Sequence, residues 1–214
     1  VDTASHLPGL RHSYEGEPLL ESGLADDPVT QFAVWFGDAL EAGLPEPNAM
    51  IVATSSAGGR PSARTVLLKG FDERGFVFFT NYESRKGRDL GENPRACLLF
   101  PWHPIRRQVR VEGRVVRVSR EDSTAYFRSR PYGSRIAAWA SRQSAVVRSR
   151  DELDERFAAL ADRWPEDPPT PDFWGGFRVI PTEMEFWQGQ TDRMHDRLRY
   201  RRAGDSWLLE RLAP

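Results

Sequence analysis

Four short stretches of this 214-residue chain gather side chains that bind anions or hold an aromatic ring. In Arg64-Thr-Val-Leu-Leu-Lys69, period-two strand geometry puts Arg64 and Lys69 on opposite faces, roughly 17 Å apart along a strand. They suit two different anions, or two charges at the ends of a buried apolar strand. Ser84-Arg85-Lys86-Gly87 opens a helix just after a strand that ends at Thr80. Free backbone N–H groups at a helix N-terminus, two cations and nearby hydroxyls make a phosphate site without a glycine-rich loop. A solvated helix cap fits the same residues, and Arg64 on a neighbouring strand is placed to complete an anion site. Tyr126 and Arg130 lie one helical turn apart on one face. Pro131 then ends the helix, so that Ser134 can turn back toward the same point and line a second phosphate site, although such Tyr-x3-Arg pairs are also common on helix surfaces. In Glu185-Phe-Trp-Gln-Gly-Gln-Thr-Asp-Arg-Met-His-Asp-Arg197, extended geometry puts Arg193, His195 and Arg197 on one face and Met194 and Asp196 on the other. Two arginines flanking a histidine are unfavourable unless an anion or an aromatic ring lies between them. A histidine there can hydrogen-bond a phenolate oxygen or exchange a proton; the alternative is an exposed polar hairpin.

Other chemistries lack their residues. His6, His12, His103 and His195 show no metal-ligand spacing, and one cysteine, Cys97, makes a Cys-based zinc site or an intrachain disulfide untenable. Cys97 sits in an apolar strand, where a core thiol is expected. Gly175-Gly176 opens no helix and is no dinucleotide fingerprint, and neither a Walker loop nor Gly-x-Ser-x-Gly is present. The 30 basic residues include only two lysines, Lys69 and Lys86, each in one of the candidate anion sites.

These residues need a scaffold. With 31 acidic and 30 basic side chains, a net charge of −1 and 39% hydrophobic residues, the composition is that of a globular protein and not of a coat for nucleic acid or an acidic membrane. No apolar run approaches the ~20 residues of a transmembrane helix, and residues 1–17 lack a signal peptide's apolar stretch, so a cytoplasmic protein is expected. Residues 1–26 read as a flexible arm and 27–214 as one domain. Asp27-Pro28 caps a helix with Phe32, Trp35, Phe36, Ala39 and Leu40 on one face. Strands are expected over 49–55, 64–69, 76–80, 95–102 and 108–119, with a short helix over 84–93 between the third and fourth. Helices are expected over 121–129, 134–141 and 150–164, the last opened by a capping box at Ser149-Arg-Asp-Glu152. Short strands at 177–180, 185–187, 198–202 and 207–210 follow. Sequential strands joined by tight turns, with helices clustered between them, point to an α+β fold, mainly β, whose antiparallel sheet curls into a barrel.

Taken in order, the motifs resemble the pyridoxine (pyridoxamine) 5′-phosphate oxidase family over about residues 27–214. They are Arg64-Thr-Val-Leu-Leu-Lys-Gly, Phe78-Phe-Thr-Asn-Tyr-Glu-Ser-Arg-Lys-Gly87, Arg107-Gln-Val-Arg-Val-Glu-Gly113, Phe173-Trp-Gly-Gly176, Glu185-Phe-Trp-Gln-Gly-Gln190, Arg193-Met-His-Asp-Arg197 and the ending Glu210-Arg-Leu-Ala-Pro. The resemblance implies an FMN-binding split β-barrel, found as a homodimer with FMN at the subunit interface. It implies oxidation of pyridoxamine and pyridoxine 5′-phosphate to pyridoxal 5′-phosphate, with oxygen as acceptor and hydrogen peroxide as product. It assigns the FMN phosphate to Arg64, Thr80, Arg85 and Lys86, and lays Val66, Leu67, Leu68, Lys69 and Phe79 along the flavin. Gln108, Gln143, Ser144, Trp187 and Arg197 match further FMN contacts, some made from the second subunit. Lys69, Tyr126, Arg130 and Ser134 match the residues that bind the substrate phosphate, and Arg193 and His195 those that hold the pyridine ring. Leu10-Arg-His-Ser-Tyr14 matches the family only loosely. Related split-barrel oxidases act on phenazine precursors, and a non-catalytic FMN or pyridoxal phosphate carrier is a further alternative. No metal, nucleic acid or membrane is expected.

Overall fold

The computed structural model describes Gly9, Ser13, Tyr14 and residues 16–214; much of the expected arm, with His6, Leu10 and His12, lies outside the described residues. Nine strands and five α-helices are found among the described residues, which gather into two compact units. The strands are ordered β2 (Pro61–Leu67), β1 (Ala49–Ser55), β5 (Arg95–Trp102), β6 (Arg107–Arg117), β7 (Trp174–Gln188), β4 (Gly75–Asn81) and β3 (Gly70–Asp72), with β8 (Asp196–Ala203) on β7 and β9 (Ser206–Arg211) on β8. No helix of the described residues is long and apolar enough to cross a membrane.

One unit comprises the described residues up to Pro47, Leu99–Val111 and Glu183–Pro214. Its helix α1 (Pro28–Glu41) starts where the sequence demands: the Asp27 carboxylate accepts from the N–H groups of Val29 and Thr30, both at 2.9 Å, and Pro28 occupies the first turn. The buried face of α1 presents Phe32, Trp35 and Ala39. Phe32 meets Phe100 at 4.9 Å between ring centroids, and Trp35 meets Phe186 edge-on at 5.2 Å. Each such ring contributes roughly 1.5–3 kcal/mol through burial. Strands β8 (Asp196–Ala203) and β9 (Ser206–Arg211) form a hairpin on the end of β7, in a register that pairs Trp187 with Arg197.

The other unit comprises Asn48–Leu98 and Glu112–Thr182. It contains β1 (Ala49–Ser55), β2 (Pro61–Leu67), β3 (Gly70–Asp72), β4 (Gly75–Asn81), α2 (Arg85–Glu92), α3 (Arg120–Ser129), α4 (Tyr132–Ala140) and α5 (Arg150–Arg163). Strands β5 (Arg95–Trp102), β6 (Arg107–Arg117) and β7 (Trp174–Gln188) give residues to both units. The β1–β2 hairpin sets Thr54 opposite Ser62 and Val52 opposite Arg64.

Three expectations need correction. The sequence suggested two short strands over 177–187, separated around Pro181, whereas β7 is continuous over 15 residues. Gly113 makes room for this: a Cβ at that position would lie 2.0 Å from the carbonyl oxygen of Ile180, so the proline-containing stretch runs close past a residue without a side chain. Strand β2 runs from Pro61 to Leu67 and stops before Lys69, whose N–H instead bonds Val77 O at 2.8 Å. The capping box of α5 is also shifted. Ser149 Oγ accepts from Glu152 N at 3.3 Å, but Glu152 reaches back to the N–H of Arg148, at 3.0 Å, and not to that of Ser149.

Candidate functional site

Ten of the residues singled out in the sequence line one cavity of about 540 Å³ in the second unit: Val66, Leu67, Lys69, Phe79, Thr80, Lys86, Tyr126, Arg130, Ser134 and Gln143. Strands β2, β4 and β7 and helices α2, α3 and α4 all supply lining residues. Three of the lining residues are cations, and none is a carboxylate. The apolar part of the wall is ordered by stacking. Phe79 lies flat on Tyr126 at 4.0 Å and on Trp174 at 5.5 Å. Gly176 permits this arrangement, since a Cβ there would meet Phe79 Cε1 at 2.9 Å.

Arg130 and Ser134 converge as the Tyr-x3-Arg-Pro pattern implied. Arg130 is the residue at which α3 ends, with φ −75° and ψ 149°, and its guanidinium sits over the Trp174 ring at 4.9 Å. Its Nη1 atom is buried without any hydrogen-bond partner. Burial pushes the Arg130 pKa below the usual arginine range, with Tyr126 opposing the shift. A buried guanidinium N–H left unbonded costs about 1–3 kcal/mol, which an anion in the cavity would recover.

A second cationic group lies at the start of α2. Ser84 caps the helix through Gly87 N at 3.3 Å, and Lys86 is buried with its ammonium group 3.0 Å from Thr80 Oγ1 and 2.9 Å from Gln143 Oε1. Desolvation first, and the Arg64 charge second, push the Lys86 pKa down to about 8. Arg85 is exposed, and its N–H donates to Ser144 Oγ at 3.2 Å. Ser144 holds a left-handed backbone, φ 73°, at this contact.

Arg64 does not line the cavity. Its guanidinium donates to Val52 O at 3.0 Å, Thr54 Oγ1 at 2.8 Å and Ser62 Oγ at 2.5 Å. Leu68 is buried, with its N–H on Asn48 O, and does not line the cavity either. Thr54, Ser62, Asp89 and Trp174 were not assigned a role from sequence. Trp174 stood in a quoted motif, and Asp89 follows Lys86 by three residues on one face of α2. The two hydroxyls face each other only because the hairpin register makes them partners.

In the first unit, Trp187, Arg193, His195 and Arg197 lie about the start of β8, and Gln108 lies on β6. The expected extended run from Arg193 to Arg197 is not formed. Thr191–Arg193 is a 3-10 turn in which Asp192 and Arg193 have φ of 53° and 61°, and only Asp196 begins the strand. Period-two alternation therefore fails for Arg193 and His195. Arg193 is exposed, while His195 is half-buried against Trp187 at 4.7 Å and Tyr14 at 5.8 Å. The N–H of Gln190 donates to His195 Nδ1 at 3.0 Å, so in the neutral ring the proton resides on Nε2. Arg197 grips the buried Glu185 through Nε at 2.8 Å and Nη2 at 3.2 Å, and bonds Ala213 O through Nη1 at 3.0 Å. Arg110 shares Glu185 at 2.9 Å. Tyr14, in the loosely matching arm, packs its ring where a Cβ on Gly189 would lie 2.9 Å from it.

Residues 36–163 match the family described as pyridoxamine 5′-phosphate oxidase, and residues 174–214 match the pyridoxine 5′-phosphate oxidase C-terminal dimerisation region. The pyridoxine/pyridoxamine 5′-phosphate oxidase of Bordetella petrii is 59% identical over 206 residues, covering 96% of this chain and 98% of that protein. The protein of the same name from Rubrobacter xylanophilus is 57% identical, covering 97% and 96%. Among solved structures, PhzG from Burkholderia lata 383, in complex with tetrahydrophenazine-1-carboxylic acid, superposes with a TM-score of 0.88 at 32% identity, covering 94% of this chain and 100% of that one. A pyridoxamine 5′-phosphate oxidase-related, FMN-binding protein from Nostoc punctiforme gives 0.68 at 19% identity, covering 86% and 97%, and speaks for the fold alone. The fold is α+β, as the strand pattern suggested, and a split barrel, as the family resemblance implied.

Proposed function

The chain belongs to the pyridoxine/pyridoxamine 5′-phosphate oxidase family, and from that premise we propose that it oxidises pyridoxamine 5′-phosphate and pyridoxine 5′-phosphate to pyridoxal 5′-phosphate. Oxygen is the final acceptor and is reduced to hydrogen peroxide; the alcohol gives the aldehyde directly, whereas the amine gives an imine that water hydrolyses to the aldehyde with release of ammonia. The protein works as a homodimer, built through its C-terminal region, in the cytoplasm, in the synthesis and salvage of vitamin B6. FMN, when bound, supplies the acceptor for the hydride that leaves the substrate's 4′ carbon and returns the electrons to oxygen.

The residues present fit such a cofactor and substrate. The observation that carries the reading is a cavity with three cations, no carboxylate and a buried, unbonded guanidinium N–H, beside a helix N-terminus with Arg85 and Lys86 in its first turn. In this reading Arg64, Thr80, Arg85 and Lys86 bind the FMN phosphate. Val66, Leu67, Leu68, Lys69 and Phe79 contact the flavin, with Gln108, Gln143, Ser144, Trp187 and Arg197 as further contacts. Lys69, Tyr126, Arg130 and Ser134 bind the substrate phosphate. Arg193 holds the pyridine ring, and His195, as an Nε2–H donor, bonds the ring hydroxyl oxygen. Each charge-assisted phosphate contact contributes about 1.5–3 kcal/mol.

Oxygen uptake and aldehyde absorbance, followed when FMN-loaded protein meets pyridoxamine 5′-phosphate, test this. Aldehyde and peroxide are expected together. A yellow protein silent with both phosphorylated vitamers would leave the fold standing and refute the activity. The likeness to PhzG supports a second reading, oxidation of a phenazine precursor, which the same assay with tetrahydrophenazine-1-carboxylic acid distinguishes.

A further inference from the structure

We propose that Asp89 is a positioning residue for the flavin phosphate, acting on Arg64 through the hydroxyls of Thr54 and Ser62. The proposal rests on the FMN reading above. Asp89 is buried on α2, and its Oδ2 lies 2.7 Å from Thr54 Oγ1 and 2.8 Å from Ser62 Oγ. A carboxylate only accepts, so both hydroxyl protons point at Asp89. With their protons so committed, the two oxygens turn lone pairs to the guanidinium, which donates to them from Nη1 at 2.8 Å and Nη2 at 2.5 Å. The second Nη1 proton goes to Val52 O at 3.0 Å. That leaves the Nε–H and one Nη2–H, the adjacent pair along one edge of the fork, which is the geometry that grips a phosphate through two parallel bonds. No direct ion pair joins Asp89 to Arg64; the two hydroxyls stand between them. The carboxyl group is held below its usual range: burial acts upward, but bonds from Thr54 and Ser62 and the charges of Arg85 and Arg64 outweigh it.

Charge alone predicts the opposite outcome from positioning. Removing an anion near a phosphate site tightens binding of the phosphate, whereas releasing the Arg64 fork loosens it. The test titrates flavin-stripped protein with FMN and with riboflavin, which lacks the phosphate, by quenching of flavin fluorescence. In Asp89→Ala the Kd for FMN is expected to rise about tenfold, as for loss of one bond to a charged group, and the Kd for riboflavin to stay within about twofold. Asp89→Asn keeps an oxygen for both hydroxyls and is expected to restore FMN affinity to within about threefold of the unmodified protein. Ser62→Ala removes one relay and leaves the buried charge; it is expected to show a smaller, equally FMN-selective loss, and it carries the test if Asp89→Ala does not fold. FMN affinity unchanged or raised in Asp89→Ala, an equal loss for both flavins, or an Asn variant as weak as the Ala variant would each overturn the proposal. An unmodified protein that binds neither flavin would overturn the FMN reading itself, and this inference with it.

Discussion

Lys86 keeps its ammonium group inside the protein with only uncharged oxygens bonded to it, 3.0 Å from Thr80 and 2.9 Å from Gln143. With its pKa pushed down to about 8, the flavin-free protein holds this charge below that pH and loses it above. FMN affinity is therefore expected to be flat from about pH 7 to 8 and then to fall by up to about tenfold per pH unit, because binding must take up a proton. For folding the sign is reversed. The unfolded chain keeps the lysine proton up to about pH 10.4, so this residue's contribution to the stability of flavin-free protein rises between about pH 8 and 10.4. Lys86→Met should bind FMN more weakly and lose the alkaline slope, and fluorescence titrations across pH decide it. Arg193 and Lys86 should also separate by function. Arg193→Ala is expected to lower kcat about 100-fold with the FMN Kd within about threefold, since a lost positioning contact acts on the ring. Lys86→Ala is expected to weaken FMN and spare turnover at saturating flavin. Loss of flavin alone in both variants would refute this division of roles.

At the scale of elements, the sites depend on where helices begin and strands come close. The two bonds that Asp27 accepts at the head of α1, from Val29 and Thr30, make Asp27→Ala cost about 1 kcal/mol, read as a lower denaturant midpoint with an unchanged slope. Gly113→Ala must displace the Ile180 carbonyl, 2.0 Å from the added carbon, and should destabilise by about 1–3 kcal/mol in the same measurement. These elements differ in how far they could be read beforehand. Strands β1 and β5 have the residue limits their alternation suggested, and α1 starts at its Asp-Pro signal. The continuous β7 was hidden by Pro181, since proline argues against a strand interior until the facing glycine is known. The turn at Asp192 and Arg193 was hidden because two non-glycine residues with positive φ leave no composition signal.

For the whole molecule, the match to a dimerisation region over residues 174–214 predicts a dimer in sedimentation equilibrium with two FMN bound per pair of chains. A monomer that retains full FMN affinity would contradict it. The sequence by itself determined the family, the α+β strand-rich pattern and the residue types of the two cationic groups. The family follows from the resemblance of the motifs taken in order along the chain; the other two depend on local spacing, caps and period, which short stretches of chain carry on their own. Tertiary structure decided which of these residues share a cavity, that Arg64 bonds the hydroxyls of Thr54 and Ser62, that Arg130 Nη1 is buried without a partner, and that His195 accepts at Nδ1 from Gln190. Those facts rest on strand register, helix ends and backbone turns joining residues far apart in sequence, and a spacing pattern holds no record of a contact made across 27 positions, as between Ser62 and Asp89.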